Sequence, residues 1–171
     1  MAARATPTRT PASAGAAELR LMRAVPAKGA PIVAAIDDSS ASRGVVETAV
    51  KLAAELNASL VFVYVRRGPP GFLGRPFFQR SLTAKMTRAR RSVDRALRAA
   101  AQAGVDAEGE ILEGAPRKRI LQFASDRDAR LIVVGSRRRR FSRSVSRGVL
   151  RAAEGPVVVT RSRRPLLADV R

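Results

Sequence analysis

Short, continuous runs of apolar residues recur along the chain. The runs that are predicted to form strands cover residues 32–36, 59–65, 131–134 and 157–160. None of them shows the polar alternation of a strand with one exposed face, so they are typical of a parallel sheet that is covered on both sides. A further strand is predicted over residues 107–113, where Glu108 and Glu110 alternate with less polar positions. That pattern suits a strand at the edge of a sheet.

Apolar residues at helical spacing fill the segments between these strands. The predicted helices are one that follows residues 37–40 and ends before residue 57, one over 81–102, one that begins near Pro116, and one over 142–153. Residues 66–80 contain three glycines and three prolines, which predicts a loop. Strands and helices that alternate in this way indicate a single α/β domain with an open parallel sheet, and its crossovers should be right-handed.

The chain is predicted to have three parts. Residues 1–29 are rich in Ala, Pro, Thr, Ser and Arg, and we expect them to form a disordered basic extension. The domain is expected over residues 30–161, and a basic tail over residues 162–171. No apolar run approaches the ~20 residues needed to span a bilayer, and the first residues lack the compact apolar segment of a secretory signal. We therefore expect a cytoplasmic protein.

The sequence contains neither cysteine nor histidine. Without cysteine there are no disulfides, thiolate nucleophiles or zinc–thiolate sites. Without histidine, the usual general base at neutral pH and the commonest transition-metal ligand are missing as well. We therefore expect no metal site and no catalysis. Any enzyme built from this chain would have to use carboxylates, hydroxyls, Lys and Arg.

The chain is strongly basic. Thirty-three Lys and Arg residues against fourteen Asp and Glu residues give a net charge of +19 and an isoelectric point near 11.9. Two interpretations are open: a surface that binds nucleic acid or another acidic partner, and an arginine-rich composition that leaves a merely solvated surface. The candidate anion-binding residues form a row on the helix over 81–102 and a cluster after the fourth strand: Arg88, Arg91, Arg95, Arg98, Arg137, Arg139 and Arg140.

In an open parallel sheet, ligands bind beyond the carboxyl ends of the strands, at the point where the strand order reverses. The candidate residues at these ends are Ala35, Ile36, Asp37, Val65, Val134 and Gly135. A carboxylate at Asp37 and backbone groups after Gly135 are of the types that hold a ribose and phosphates. Asp37 has an equally ordinary alternative role, because a carboxylate in front of a helix can cap it.

Four segments, read together, resemble the universal stress protein family. They are IVAAIDDS from Ile32, EGAP from Glu113, LIVVGS from Leu131 and GPVVV from Gly155, in the family's order and at nearly its spacing. The resemblance covers about residues 30–161. It implies a five-stranded sheet in the order 3-2-1-4-5 with helices on both faces. It also implies a non-catalytic stress-response module, a homodimer joined through the strand at 157–160, and ATP binding in one branch of the family.

The ATP-binding branch carries a motif of three glycines after the fourth strand, the last followed by Ser or Thr. Gly135 matches the first glycine, and Arg138 stands at the second. Taking Gly148 as the third leaves too few residues for the closing helix, so we align Arg143 there and Ser144 and Val145 after it. Arginine in place of glycine removes the close approach of backbone N–H groups to phosphate, although its guanidinium can bind phosphate itself. The resemblance thus implies a weak or altered adenine-nucleotide site, and no required cofactor. Polyanion binding and slow ATP hydrolysis are the alternative functions.

Overall fold

Five strands form one sheet in the computed structural model, which describes residues 29–68, 75–136 and 144–161. The strands are β1 (Ile32–Ile36), β2 (Leu60–Arg66), β3 (Ala107–Glu113), β4 (Leu131–Ser136) and β5 (Val157–Arg161). They run in the order β3-β2-β1-β4-β5, and every neighbouring pair is parallel. The predicted α/β class, the strand order and the edge position of β3 are confirmed.

Four helices cover the two faces of the sheet in the described part of the chain. They are α1 (Ala41–Leu56), α2 (Arg75–Gln102), α3 (Pro116–Asp126) and α4 (Val145–Ala152). The apolar faces of α1 and α2 share one core with alternate residues of the strands, and those of α3 and α4 share the core on the other side. Because β1 lies at the centre, Ile32 and Val33 point to opposite cores and are both fully buried. This two-sided burial is why the strands read as unbroken apolar runs.

The predicted loop over residues 66–80 is wrong in its last part, because α2 already begins at Arg75. Pro76 then falls in the first helical turn, where the backbone N–H that proline lacks would have no partner inside the helix. A proline among glycines had favoured a loop, but at this position it is compatible with a helix start.

The start of α1 has no side-chain cap, although the sequence left open that Asp37 caps this helix. Ser40 is the N-cap residue, but its side chain makes no capping hydrogen bond. Its backbone is already helical, at φ −61° and ψ −21°, whereas a capping side chain needs an extended backbone to reach the free N–H groups. The polar side chains before α1 are therefore available for contacts with one another.

Across residues 29–68, 75–136 and 144–161, no helix combines the length and the apolar character needed to cross a membrane.

Candidate functional site

The strand order reverses between β1 and β4, and an open α/β sheet has its ligand crevice beyond the carboxyl ends of the strands at such a point. Ala35 of β1 lies in register with Val134 of β4, so Asp37 and Ser136 follow at the same edge of the sheet. Ile36 and Val134 are buried, while Ala35 is half-buried like Val65 at the end of β2. The structure thus brings the six predicted strand-end residues to one edge, where ligands of open α/β sheets bind.

Asp37 is held in place by two serines. Its Oδ1 accepts hydrogen bonds from the backbone N–H of Ser39 at 2.9 Å, from Ser39 Oγ at 2.5 Å and from Ser42 Oγ at 2.8 Å. Ser42 Oγ in turn accepts a hydrogen bond from the backbone N–H of Asp37 at 2.7 Å. The carboxylate therefore stabilises the turn between β1 and α1, and the turn holds the carboxylate at the carboxyl end of β1.

Asp38, the next residue, connects three elements on the face covered by α1 and α2. Its Oδ2 accepts a hydrogen bond from the hydroxyl of Tyr64 on β2 at 2.8 Å, and its Oδ1 accepts one from Ser92 Oγ on α2 at 2.9 Å. Ser92 is buried, and its oxygen also accepts a hydrogen bond from Arg95 Nη2 at 3.2 Å. This network ties the end of β1 to the middle of α2.

The environment of Tyr64 favours its protonated form. Burial, the hydrogen bond to Asp38 and the negative charges of Asp38 and Asp37 raise the pKa of Tyr64 to about 12, and the positive charge of Arg88 opposes them. Tyr64 therefore stays a hydrogen-bond donor to Asp38 throughout the neutral range.

A groove of about 320 Å³ opens beside this network. It is lined by Asp38, Arg88, Arg91, Ser92, Arg95 and Arg98. The four arginines, which we call the α2 arginine row, are all exposed. The structure brings the row next to the residue that follows Asp37, a proximity that the sequence alone did not predict.

Arg66 ends β2 and pairs with Glu113, its register partner at the end of β3. The Arg66 side chain is only 15% exposed, and its Nη1 is buried without a hydrogen-bond partner in the described part of the chain. The ion pair neutralises a basic side chain close to Val65 and joins the outer strand to β2 at the ligand-binding edge.

Gly135 has a packing role that its place in a glycine motif does not reveal. A Cβ atom there would lie 3.1 Å from Ala41 Cβ and 3.1 Å from Val45 Cγ2, closer than ordinary contact. Glycine therefore lets α1 pack tightly against the end of β4.

The structure places Ser144 at the N-cap of α4. Its backbone is extended, and its Oγ accepts a hydrogen bond from the backbone N–H of Arg147 at 3.2 Å. Val145, the first residue of α4, is 37% exposed. Ser144, which the alignment puts at the family's hydroxyl position, is thus the capping residue of α4.

The remaining predicted site residues lie outside the described residues. They are Arg137, Arg138, Arg139, Arg140 and Arg143. The predicted extension, apart from Gly29, and the tail after Arg161 lie outside them too.

Comparison with known proteins decides the family. Residues 30–161 match the model of the universal stress protein family. The chain belongs to that family. A universal stress protein from Thermus aquaticus is 33% identical in an alignment of 138 positions that covers 76% of this chain and 97% of that protein.

Solved universal stress proteins share the fold. One from Archaeoglobus fulgidus, determined in complex with dAMP, is 26% identical with a TM-score of 0.61, and the match covers 76% of this chain and 96% of that chain. One from Lactobacillus plantarum has a TM-score of 0.71 at 24% identity, with 79% of this chain and 99% of that chain covered. The universal stress protein fold therefore extends over the whole described domain.

Sequence reasoning missed Asp38, Tyr64 and Ser92 as members of the site. Two signals were present. Tyr64 is the sole tyrosine and lies near the end of a buried strand, and Ser92 is a polar residue beside the apolar stripe of its helix. Neither signal says that the residues meet, because 26 and 54 positions separate Asp38 from its two partners.

Proposed function

We propose that this universal stress protein is a non-catalytic stress-response module that binds an adenine nucleotide weakly in the crevice between β1 and β4. The observation that carries the proposal is the oriented carboxylate of Asp37 at the carboxyl end of β1, a position suited to the hydroxyls of a ribose. The relative from Archaeoglobus fulgidus that was solved with dAMP supports an adenine nucleotide as the ligand. We expect the protein to act in the cytoplasm.

The phosphate end of the site is expected to be the weak part. Backbone N–H groups reach phosphate oxygens most closely where glycine leaves no side chain between them. Arg138 and Arg143 stand at two of the three glycine positions of the ATP-binding motif. Ser144 Oγ, at the N-cap of α4, is the family's remaining hydroxyl there. We therefore expect the dissociation constant for ATP to lie above about 1 μM, so that the binding free energy is weaker than roughly −8 kcal/mol.

Calorimetric titration with ATP, AMP and the corresponding guanosine nucleotides tests this. We expect measurable, adenine-dependent binding by the parent, and a loss of about 10-fold or more in Asp37→Asn, since a hydrogen bond to a charged group contributes about 1.5–3 kcal/mol. Asp106→Asn is the matched control, because Asp106 is exposed and precedes β3 at the opposite edge of the sheet.

Three results would contradict the proposal. The absence of binding at millimolar adenine nucleotide would remove the ligand, and equal affinities of the two variants would leave Asp37 a purely structural residue. A micromolar or tighter affinity for ATP would show that the arginines rebuild the phosphate site. Thermal unfolding of Asp37→Asn separates lost binding from lost folding, because its carboxylate also holds the turn before α1.

The non-catalytic part of the proposal rests on the side chains available. With no histidine or cysteine in the sequence, no group with an unperturbed pKa near 7 is at hand as a general base. We expect phosphate release from ATP to stay at the level of buffer, and an activity abolished in Asp37→Asn would establish slow hydrolysis instead.

We further propose a homodimer joined through β5. This strand pairs only with β4 among the described strands, which leaves its outer edge open. Among residues 29–68, 79–136 and 144–161, four large apolar side chains are exposed, and three of them lie on α4 and β5: Val145, Leu150 and Val159. An open, apolar edge of this kind is usually covered by another chain.

Light scattering with a matched pair of variants tests the dimer. Leu150 and Leu56 are both exposed leucines, with exposed fractions of 54% and 37%. Leu56 is the control because it ends α1 and lies on neither α4 nor β5. We expect the parent and Leu56→Arg to be dimers at about tens of micromolar, and Leu150→Arg to be shifted toward monomer. A monomeric parent, or equal behaviour of the two variants, would refute the proposed interface.

A further inference from the structure

We propose that the α2 arginine row binds the phosphate backbone of duplex nucleic acid without reading its sequence. This inference goes beyond the nucleotide crevice, because it assigns a macromolecular ligand to a different surface. It concerns Arg88, Arg91, Arg95 and Arg98 and the groove that they line.

Helix α2 concentrates positive charge with little to balance it. It carries seven Arg, one Lys and a single acid, Asp94. The ion pairs among the described residues use Lys51, Arg66 and Arg127, and none of them includes the row. Like charges one turn apart repel each other, so the row destabilises the free helix slightly unless an anion lies over it. A bound polyanion would relieve this repulsion, so a polyanion is the partner that suits this surface best.

The number of arginines in the row matches the number of phosphates that one strand of a duplex presents over the same axial length. Ten residues separate Arg88 from Arg98, which corresponds to about 15 Å along a helix. One strand of duplex presents a phosphate every ~3.4 Å of its axis, so about four phosphates lie along that length. The row therefore offers about one guanidinium for each phosphate.

The groove is partly preorganised. Arg95 donates to Ser92 Oγ, which is buried and is itself held by Asp38. Asp38, the one acid that lines the groove, already accepts hydrogen bonds on both carboxylate oxygens, from Tyr64 and from Ser92. These contacts occupy both oxygens of the Asp38 carboxylate. The hydrogen bond to Ser92 also restricts the Arg95 side chain, so Arg95 would lose less entropy on binding.

The position of the row leaves it accessible and indicates the type of partner. Helix α2 packs on β2 and β3, on the opposite half of the sheet from β5, so the proposed dimer would not cover it. Over residues 79–102 of α2, no large apolar side chain is exposed, so the row has no apolar wedge beside it of the kind that holds a helix in a bilayer surface. None of the described residues that line the groove is aromatic, which favours backbone contacts with a duplex over base stacking with single strands.

Two variants with equal charge separate the row from the general basicity of the protein. The row variant is Arg88→Gln, Arg91→Gln and Arg98→Gln. The control variant is Lys118→Gln, Arg147→Gln and Arg151→Gln, three exposed cations on α3 and α4 at the other face of the sheet. Both keep the full chain and every arginine outside the described residues. Thermal unfolding checks that both are folded.

Fluorescence anisotropy with labelled duplexes of two unrelated sequences, each roughly 30 base pairs, is then measured against salt between about 50 and 200 mM. Three lost phosphate contacts should flatten the slope of log K against log salt by about 2.7, and weaken binding roughly 80-fold at 0.2 M salt. We expect this loss in the row variant, a slope close to that of the parent in the control, and equal affinity for the two sequences.

Equal slopes for the two variants would overturn the proposal and assign the binding to net charge. Poly-glutamate and phosphatidylserine vesicles are measured in parallel. If poly-glutamate or the vesicles bind through the row and the duplex does not bind, the proposal is overturned in favour of an acidic protein or a membrane surface. A marked preference between the two duplexes would overturn the absence of sequence reading.

Discussion

Replacing Gly109 by alanine should destabilise the domain, because β3 and α2 approach too closely for a side chain between them. A Cβ atom at Gly109 would lie 2.2 Å from Val93 Cγ1, more than an ångström inside ordinary carbon contact. Val93 is 6% exposed and its side chain is β-branched, so it cannot turn away easily. Overpacking of this kind costs about 1–3 kcal/mol, against a gain of about 0.4–1 kcal/mol from the stiffer unfolded chain. We expect a net loss of about 1–2 kcal/mol, since β3 is an edge strand and can yield slightly outward.

Chemical denaturation of a small set of variants measures this cost. Gly155→Ala is the control, because nothing lies within 4 Å of a Cβ atom there, and it should be neutral or slightly stabilising. Val93→Ala alone should lose about 2 kcal/mol through the buried methyl groups. In that background, Gly109→Ala should cost little, since the clashing methyl group is gone. Additive effects of the two substitutions, or an undiminished stability of Gly109→Ala, would refute the steric explanation.

Three further predictions concern the ligand-binding edge. Tyr64 is the sole tyrosine, so its absorbance should titrate with a pKa of about 12, and Asp38→Asn should lower that value; a midpoint near 10 in the parent would contradict the network. Because the folded-state value is the higher one, this contribution to stability is complete below pH 10 and is lost as the pH rises to about 12. Ser92→Ala should cost about 1–2 kcal/mol in urea unfolding by removing its bonds to Asp38 and Arg95, whereas Thr87→Ala on the exposed face of α2 should change little. Gly135→Ala should cost about 1–2 kcal/mol and Ala41→Gly should restore part of it; an unchanged Tm together with lost nucleotide binding would show a ligand-contacting role instead.

Most of the fold could be predicted from local patterns. The inner strands β1, β2 and β4 appear as apolar runs because both faces of the sheet are covered. Of the two edge strands, β3 alternates with polar residues, whereas β5 is apolar. The four family segments then supplied the strand order. The start of α2 could not be predicted, because glycine and proline indicate a loop unless the proline falls in a first helical turn, as Pro76 does.

The candidate site likewise contains residues that the sequence could place and contacts that it could not. Asp37 and Gly135 could be placed at strand ends from the sequence, because a strand end is a local feature. The contacts of Asp38 with Tyr64 and Ser92, and the approach of Val93 to Gly109, depend on the register of β1, β2 and β3 and on the rotation of α2 about its axis. A hydrophobic period defines which face of a helix is buried, but not which residue on a distant strand that face meets. That pairing is decided only when the helix and the sheet pack against each other, since close packing admits few relative positions.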